Sequence, residues 1–170
     1  MAFQTKIIGR EALMRRLDEL VPEANKAAAV AKLEVAREAA SRIASRAPAG
    51  ATGAYKDSII GARQADMPAG ERPVFGGNPS KDPDATAVYA DFTWKFLEHG
   101  TAPHLIKGRN GKRLVFTARN GARVSVPSVN HPGSAAQPHI FYTWKAYRKA
   151  AKAKISRAIS KAVKAATKGA

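Results

Sequence analysis

The feature that most constrains this chain is an apolar, alanine-rich stripe near its amino-terminal end. Leu13, Leu17, Leu20, Ala24, Ala28, Ala31, Val35, Ala39 and Ile43 recur every three or four residues. That spacing gathers them on one face and predicts helix over residues 10–47. Pro22 interrupts the pattern. It removes a backbone donor, so a kink, or two helices meeting, is expected near residues 21–23. Alanine buries little area but permits close approach, so the helix needs a partner surface. That surface is either the sheet of its own domain or a neighbouring subunit. Ala47-Pro48-Ala49-Gly50 ends the helix.

A second stripe closes the chain. From His139 a long helix is predicted, with Ile140, Trp144, Tyr147, Ala151, Ile155, Ala158, Ile159, Ala162, Val163 and Ala166 on its apolar face. Lys145, Lys149, Lys152, Lys161, Lys164 and Lys168 occupy much of the rest. The aromatic first half is expected to dock on the domain, and the second half to project from it.

The middle of the chain reads as β-structure and loops. Tyr55 and Ile59 anchor a turn and a short helical or extended segment after Thr52-Gly53. Residues 64–84 are rich in proline and glycine and read as loop, with a short strand end at Val74-Phe75. Tyr89, Phe92, Trp94, Phe96 and Leu97 suit a half-buried strand that stops at Gly100 and Pro103. Lys107 to Lys112 reads as a basic turn. Arg113–Ala118 and Ala122–Val126 flank Asn120-Gly121, the strongest short hairpin cue, because both turn residues tolerate positive φ. Leu114 and Phe116 alternate with polar neighbours, as do Val124 and Val126, which predicts one buried hairpin face. Residues 127–138 read as an irregular connector. The expected architecture is α+β: a mainly antiparallel sheet, including 89–97 and the hairpin, packed by a long N-terminal helix and a long C-terminal helix. Its parts are an N-terminal helical segment (1–47), an α+β core domain (48–148) and a basic C-terminal helical extension (149–170).

Charge is distributed unevenly. Residues 1–47 carry nine basic and six acidic side chains, residues 48–98 five and seven, and residues 99–170 fifteen and none. The one-sided last part implies an anionic neighbour: nucleic acid, an acidic protein surface or an anionic membrane. The polar face of the last helix lacks base-reading asparagine or glutamine, so contact with DNA would be blind to sequence. No 18-residue apolar run exists, so no membrane span is expected. The amino-terminal residues lack the apolar region of a secretory signal. The absence of cysteine excludes disulfides, thiolate metal sites and a cysteine nucleophile.

Chemistry is harder to place. Glu98, His99, His104, His131 and His139 could supply zinc ligands for a hydrolase. His99 and His104 straddle Gly100 and Pro103, however, and do not share a helix face as two ligands of an H-E-x-x-H motif do. The simpler reading is that the imidazoles pin irregular loops. Neither a G-x-S-x-G elbow nor a Walker A loop nor a G-x-G-x-x-G is present. No catalytic, cofactor-binding or metal residue is assigned, and no enzyme activity is expected.

Four elements occur in a suggestive order: Pro48…Thr52-Gly53-Ala54-Tyr55-Lys56-Asp57-Ser58-Ile59, then Glu98-His99-Gly100-Thr101-Ala102-Pro103-His104-Leu105-Ile106, then Leu114-Val115-Phe116, then His131-Pro132-Gly133-Ser134-Ala135-Ala136-Gln137-Pro138-His139-Ile140. From Thr52 to about Arg148 the chain resembles the neck, or head–tail joining, proteins of long-tailed bacteriophages. These are the small tail-completion proteins of the Hong Kong 97 type, with a more distant similarity to the lambda tail-completion protein. The basic end beyond Arg148 and the insertion at 66–84 depart from the family pattern. The resemblance implies a non-enzymatic virion protein without cofactors. It would be made in the bacterial host cytoplasm and would assemble as a ring of about six copies at the head–tail interface. Its partners would be itself, the adjacent head-completion and tail-terminator or tail-tube proteins, and packaged DNA without sequence preference. Glu98, Gly100, Thr101, His104, His131, Pro132, Gly133, Gln137 and Pro138 would then be architecture, setting two loops against the sheet. The alanine stripe and the loop at 66–84 become candidate subunit interfaces. Lys145, Lys149, Lys152, Lys161, Lys164 and Lys168 become candidate contacts to DNA or a partner. The alternative is a sequence-nonspecific nucleic-acid-binding basic protein.

Overall fold

The computed structural model describes residues 10–50, 52–68, 80–118 and 120–168, with side chains from Val21 onward. The side chains of Leu13, Leu17 and Leu20 and the whole Val74-Phe75 strand end lie outside that description. The fold is α+β, with a long helix at each end. Helix α1 runs unbroken from Arg10 to Arg46 with Pro22 inside it. One lost donor therefore does not divide a 37-residue helix into two. Helix α4 spans Ile140–Lys168.

The two helices lie antiparallel, Ile140 meeting the Ala40–Ala47 end of α1 and Ile155 meeting Val35. Val35, Ala39, Tyr147 and Ala151 form one core cluster; Ala40, Ile43, Ala47 and Ile59 form the other, and Val88 packs against both. Seven of the twelve buried apolar residues described are alanine. Each fully buried large apolar side chain contributes about 1.5–3 kcal/mol. The core therefore depends on Val35, Ile43, Ile59, Tyr89 and Tyr147, held close by small neighbours. The partner surface that the alanine stripe required is mainly α4, together with a β-ribbon of the same chain.

That ribbon pairs β1 (Ile60–Arg63) with β2 (Thr86–Tyr89), antiparallel. A Cβ on Gly61 would sit 2.3 Å from the backbone of Ala36, so the absence of one lets β1 lie directly on α1. Short helix α2 (Ala54–Asp57) precedes β1 and delivers Ile59 to the core, as the Tyr55/Ile59 anchor reading expected.

The reading of residues 89–97 as a strand is corrected. Only Tyr89 belongs to β2, and Trp94–His99 is helix α3. The Asp91 carboxylate accepts the Thr93 N–H at 3.0 Å, and the Asp91 carbonyl accepts the Trp94 N–H at 3.0 Å. This local turn starts a helix before the aromatic run can extend. Phe92 and Phe96 then meet edge to face, one helical turn apart.

Among the described residues every strand pairing is antiparallel, as expected, and the strands form three two-stranded ribbons. Strand β3 (His104–Lys107) pairs with β6 (Ser128–His131), and β4 (Leu114–Thr117) with β5 (Arg123–Val126). Strand β6 lies where an irregular connector was expected. The Gly108 N–H reaches the Pro127 carbonyl at 3.3 Å, joining the last two ribbons into one long hairpin, or arm. Residues 108–113 bulge from one side of it, and Asn120-Gly121 forms its tip, as the sequence predicts. No described residue of 104–131 is buried. The expected buried face, Leu114, Phe116, Val124 and Val126, does lie together on the ribbon. Phe116, however, remains 41% exposed and the others are only half-buried.

Candidate functional site

The base of the arm is a corner built from two of the four sequence elements. Gly100 ends α3 at φ 72°, and Gly133 turns back at φ 86°. Both angles favour glycine. A Cβ on Gly133 would fall 2.2 Å from the Thr101 carbonyl oxygen, and one on Gly100 2.5 Å from that of Ser134. The two glycines therefore let the loops touch backbone to backbone. Thr101 and Ser134 exchange N–H···O bonds of 3.0 and 3.1 Å, and their hydroxyls lie 3.0 Å apart. The Gln137 N–H donates to the Leu97 carbonyl at 2.7 Å.

Glu98 is the centre of this corner, only 3% exposed. Its Oε2 accepts the N–H groups of His139 at 2.8 Å and Ile140 at 2.9 Å, and its Oε1 accepts that of Phe141 at 3.1 Å. These are donors at the start of α4 that have no partner within the helix. An anion at a helix N-terminus also meets the positive end of the helix dipole. Burial pushes the Glu98 carboxyl up, but the N–H groups of Ile140, His139 and Phe141 together outweigh it and hold it below its ordinary value.

His139 is locked beside it, 2% exposed. Its Nδ1 lies 2.7 Å from the Gln137 carbonyl, which can only accept, so Nδ1 carries a hydrogen. Its Nε2 lies 2.7 Å from the Tyr55 hydroxyl. In the neutral ring Tyr55 donates that bond. Burial, then the nearby carboxylates of Glu98 and Asp91, push Tyr55 up to about 12, so it keeps its proton.

The other histidines lie elsewhere. His104 and His131 are cross-strand partners on the arm, with ring centroids 5.1 Å apart. His99 sits between Trp94 and Phe141, at 6.3 and 6.0 Å. Among the described residues no three histidine or acidic side chains stand where they could share a metal ion. The residues suggested for a hydrolase are thus split over three places. Pro132 and Pro138 bracket the returning loop.

The lysine positions behave as one exposed set. Lys145, Lys149, Lys152, Lys161, Lys164 and Lys168 are all exposed, and none has a carboxylate within ion-pair distance among the described residues. At about 1.5 Å per residue they cover about 35 Å of helix. Arg148 and Arg157, which the sequence reading did not single out, are exposed as well. Lys154 differs: it pairs with Glu34 at 3.2 Å and Glu38 at 3.4 Å and ties α4 to α1. Beside it, Tyr147 and then Arg42 hold Glu38 down to about 2, and the Arg42 guanidinium lies 4.6 Å over the Tyr147 ring.

Among the described residues no helix is long and apolar enough to cross a membrane. Compared with family models, curated proteins and solved structures, the chain matches none.

Proposed function

We propose that this chain is a structural neck protein of a long-tailed bacteriophage, joining the DNA-filled head to the tail as part of a ring. The observation that carries the reading is the use made of Glu98. Both of its oxygens are committed to backbone N–H groups of α4, so the most chemically suggestive residue of the chain serves architecture. The glycines and polar groups around it do likewise, and the corner unites the Glu98–Ile106 and His131–Ile140 elements that carry the resemblance. From Ala31 to Ile43 the alanine stripe is buried within the protomer, so subunit contacts fall to other surfaces than that stretch. The test is electron microscopy of particles assembled without this gene. Packaged heads accumulating beside separate tails support the joining role, and normally joined virions refute it.

A second reading, sequence-nonspecific nucleic-acid binding, is favoured by the unpaired cations of α4. Phosphate contacts release counterions, so such binding would weaken linearly with the logarithm of salt, by about 0.9 in log K per phosphate neutralised. Titration of the purified chain with duplex DNA at several salt concentrations tests it. A flat response removes it.

A further inference from the structure

The arm presents an unsolved burial problem. An isolated two-stranded ribbon is marginal in water at best. This one carries an apolar face of Leu114, Phe116, Val124 and Val126 that the described residues of the protomer leave partly uncovered. Residues 104–131 also hold six cations and no carboxylate. What covers the face must therefore be apolar and must tolerate or supply negative charge.

The chain has such a surface at a different place. At the α2–α3 corner, Phe92 is 70% exposed and stacks edge to face on Phe96, itself exposed. The Asp91 N–H bonds to Ser58 Oγ at 3.0 Å, which brings Asp91 beside Asp57. Both carboxylates are exposed, and neither has an ion-pair partner among the described residues. Lys95 is present too, but its Nζ lies over the Phe96 ring at 5.2 Å. The charge asymmetry of the sequence places every carboxylate at or before Glu98 and the whole arm after it. Two copies set head to tail are complementary where two copies set arm to arm repel.

We propose that the arm of one copy docks through Phe116 and its apolar neighbours onto the Phe92–Phe96 corner of a second copy, with Asp57 and Asp91 meeting the arm's cations. The two patches differ, so the contact is heterologous and leaves a free arm and a free corner for the next copy. Repetition closes a ring or extends a filament. The inference rests on the ring-forming part of the proposed function and not on the phage setting.

The test exploits a chain without cysteine. In the purified full-length protein, Thr117→Cys and Lys95→Cys, exposed positions beside the two anchors, are introduced singly and together, and copies are joined with a short bis-maleimide. The expected result is a ladder of dimers and higher species for the double variant only. Both sites are exposed, and circular dichroism of the single variants checks that the fold persists. In sedimentation, Phe116→Asp or Phe92→Asp should each weaken association about tenfold or more. An equal mixture of these two variants keeps one intact arm and one intact corner, and should stop at dimers. Three results overturn the proposal: no ladder at any concentration up to the solubility limit, dimers from Thr117→Cys alone, or shielding of Thr117→Cys from maleimide by duplex DNA but not by a second copy. A protein that joins heads to tails yet gives no ladder keeps its neck role and loses this interface.

Discussion

Replacing Glu98 by glutamine removes one charge and exchanges one acceptor for a donor, at a site only 3% exposed. The amide oxygen can keep the two bonds from His139 and Ile140. The amide nitrogen then faces the Phe141 N–H, donor against donor, where Oε1 now accepts at 3.1 Å. Losing a buried hydrogen bond to a charged group costs about 1.5–3 kcal/mol. Weakening the other two from charged to neutral, and losing the charge at the helix N-terminus, costs about 1–3 kcal/mol more. The easier burial of a neutral amide offsets part of this. The net loss is about 2–4 kcal/mol, a large share of a domain stability of about 5–15 kcal/mol. With a urea slope near 2 kcal/mol/M, the unfolding midpoint falls by about 1–2 M. The pH dependence provides an independent check. A carboxyl held below its ordinary value of 4.5 adds stability that is complete above that value and is lost as pH falls through its lowered folded value. The gap between wild type and Glu98→Gln should therefore close in acid. A midpoint shift below about 0.25 M at neutral pH, or a gap that stays constant down to pH 2, would refute the reasoning.

Gly133→Ala forces an alanine to φ 86° with its Cβ against the Thr101 carbonyl. It should cost about 1–3 kcal/mol in strain alone, and hydrogen exchange should accelerate first at the Thr101 and Ser134 amides. Gly61→Ala drives a methyl into the Ala36 backbone, so β1 must lift from α1. A loss of about 1–3 kcal/mol in urea melts is expected. Arg42→Ala removes the guanidinium that donates to Glu38 Oε1 at 2.8 Å, so Glu38 should titrate above about 2 when followed by carboxyl NMR. An unchanged Glu38 titration would refute the role of that ion pair. If the basic face binds duplex DNA, Lys145→Ala, Lys149→Ala and Lys152→Ala together should reduce the salt slope by about three, measured by fluorescence anisotropy.

The parts legible in the sequence were those whose pattern is local and repeated. The stripes of α1 and α4 persist over many turns, and Asn120-Gly121 fixes the hairpin tip, so both helices and β4–β5 fall where expected. Residues 89–97 misled because aromatic content favours a strand, while Phe92 and Phe96 at a spacing of four fit a helix equally well. Asp91, whose short carboxylate turns the chain, decides between them. Strand β6 escaped because it is four residues long between Pro127 and Pro132. Glu98, Gly100, Thr101, Gly133 and Gln137 stood out in the sequence as parts of two loops, but their partners were not legible. Glu98 meets donors more than forty residues away, and Tyr55 meets His139 at a separation of 84. Nothing local marks such pairs. The hairpin's alternation correctly marked an apolar face, but alternation does not say whether the protomer itself covers it.

The charge asymmetry and the corner are two consequences of one fact. After Glu98 there is no carboxylate side chain, so α4 has no acidic residue of its own to cap it. Gln137-Pro138-His139, immediately before it, offers none of the serine, threonine, aspartate or asparagine residues that cap helices best. The last carboxylate in the chain therefore serves as the cap from α3, on the far side of the arm. The same bonds close the arm's base, since residues 101–138 leave from and return to the segment that holds Glu98 and α4. A helix cap supplied locally would leave the arm free to swing about Gly100 and Gly133. A cap supplied by Glu98 ties the two ends of the arm, α3 and the start of α4, to each other. The arm-to-corner contact proposed above, repeated from copy to copy, would draw on a root closed in this way.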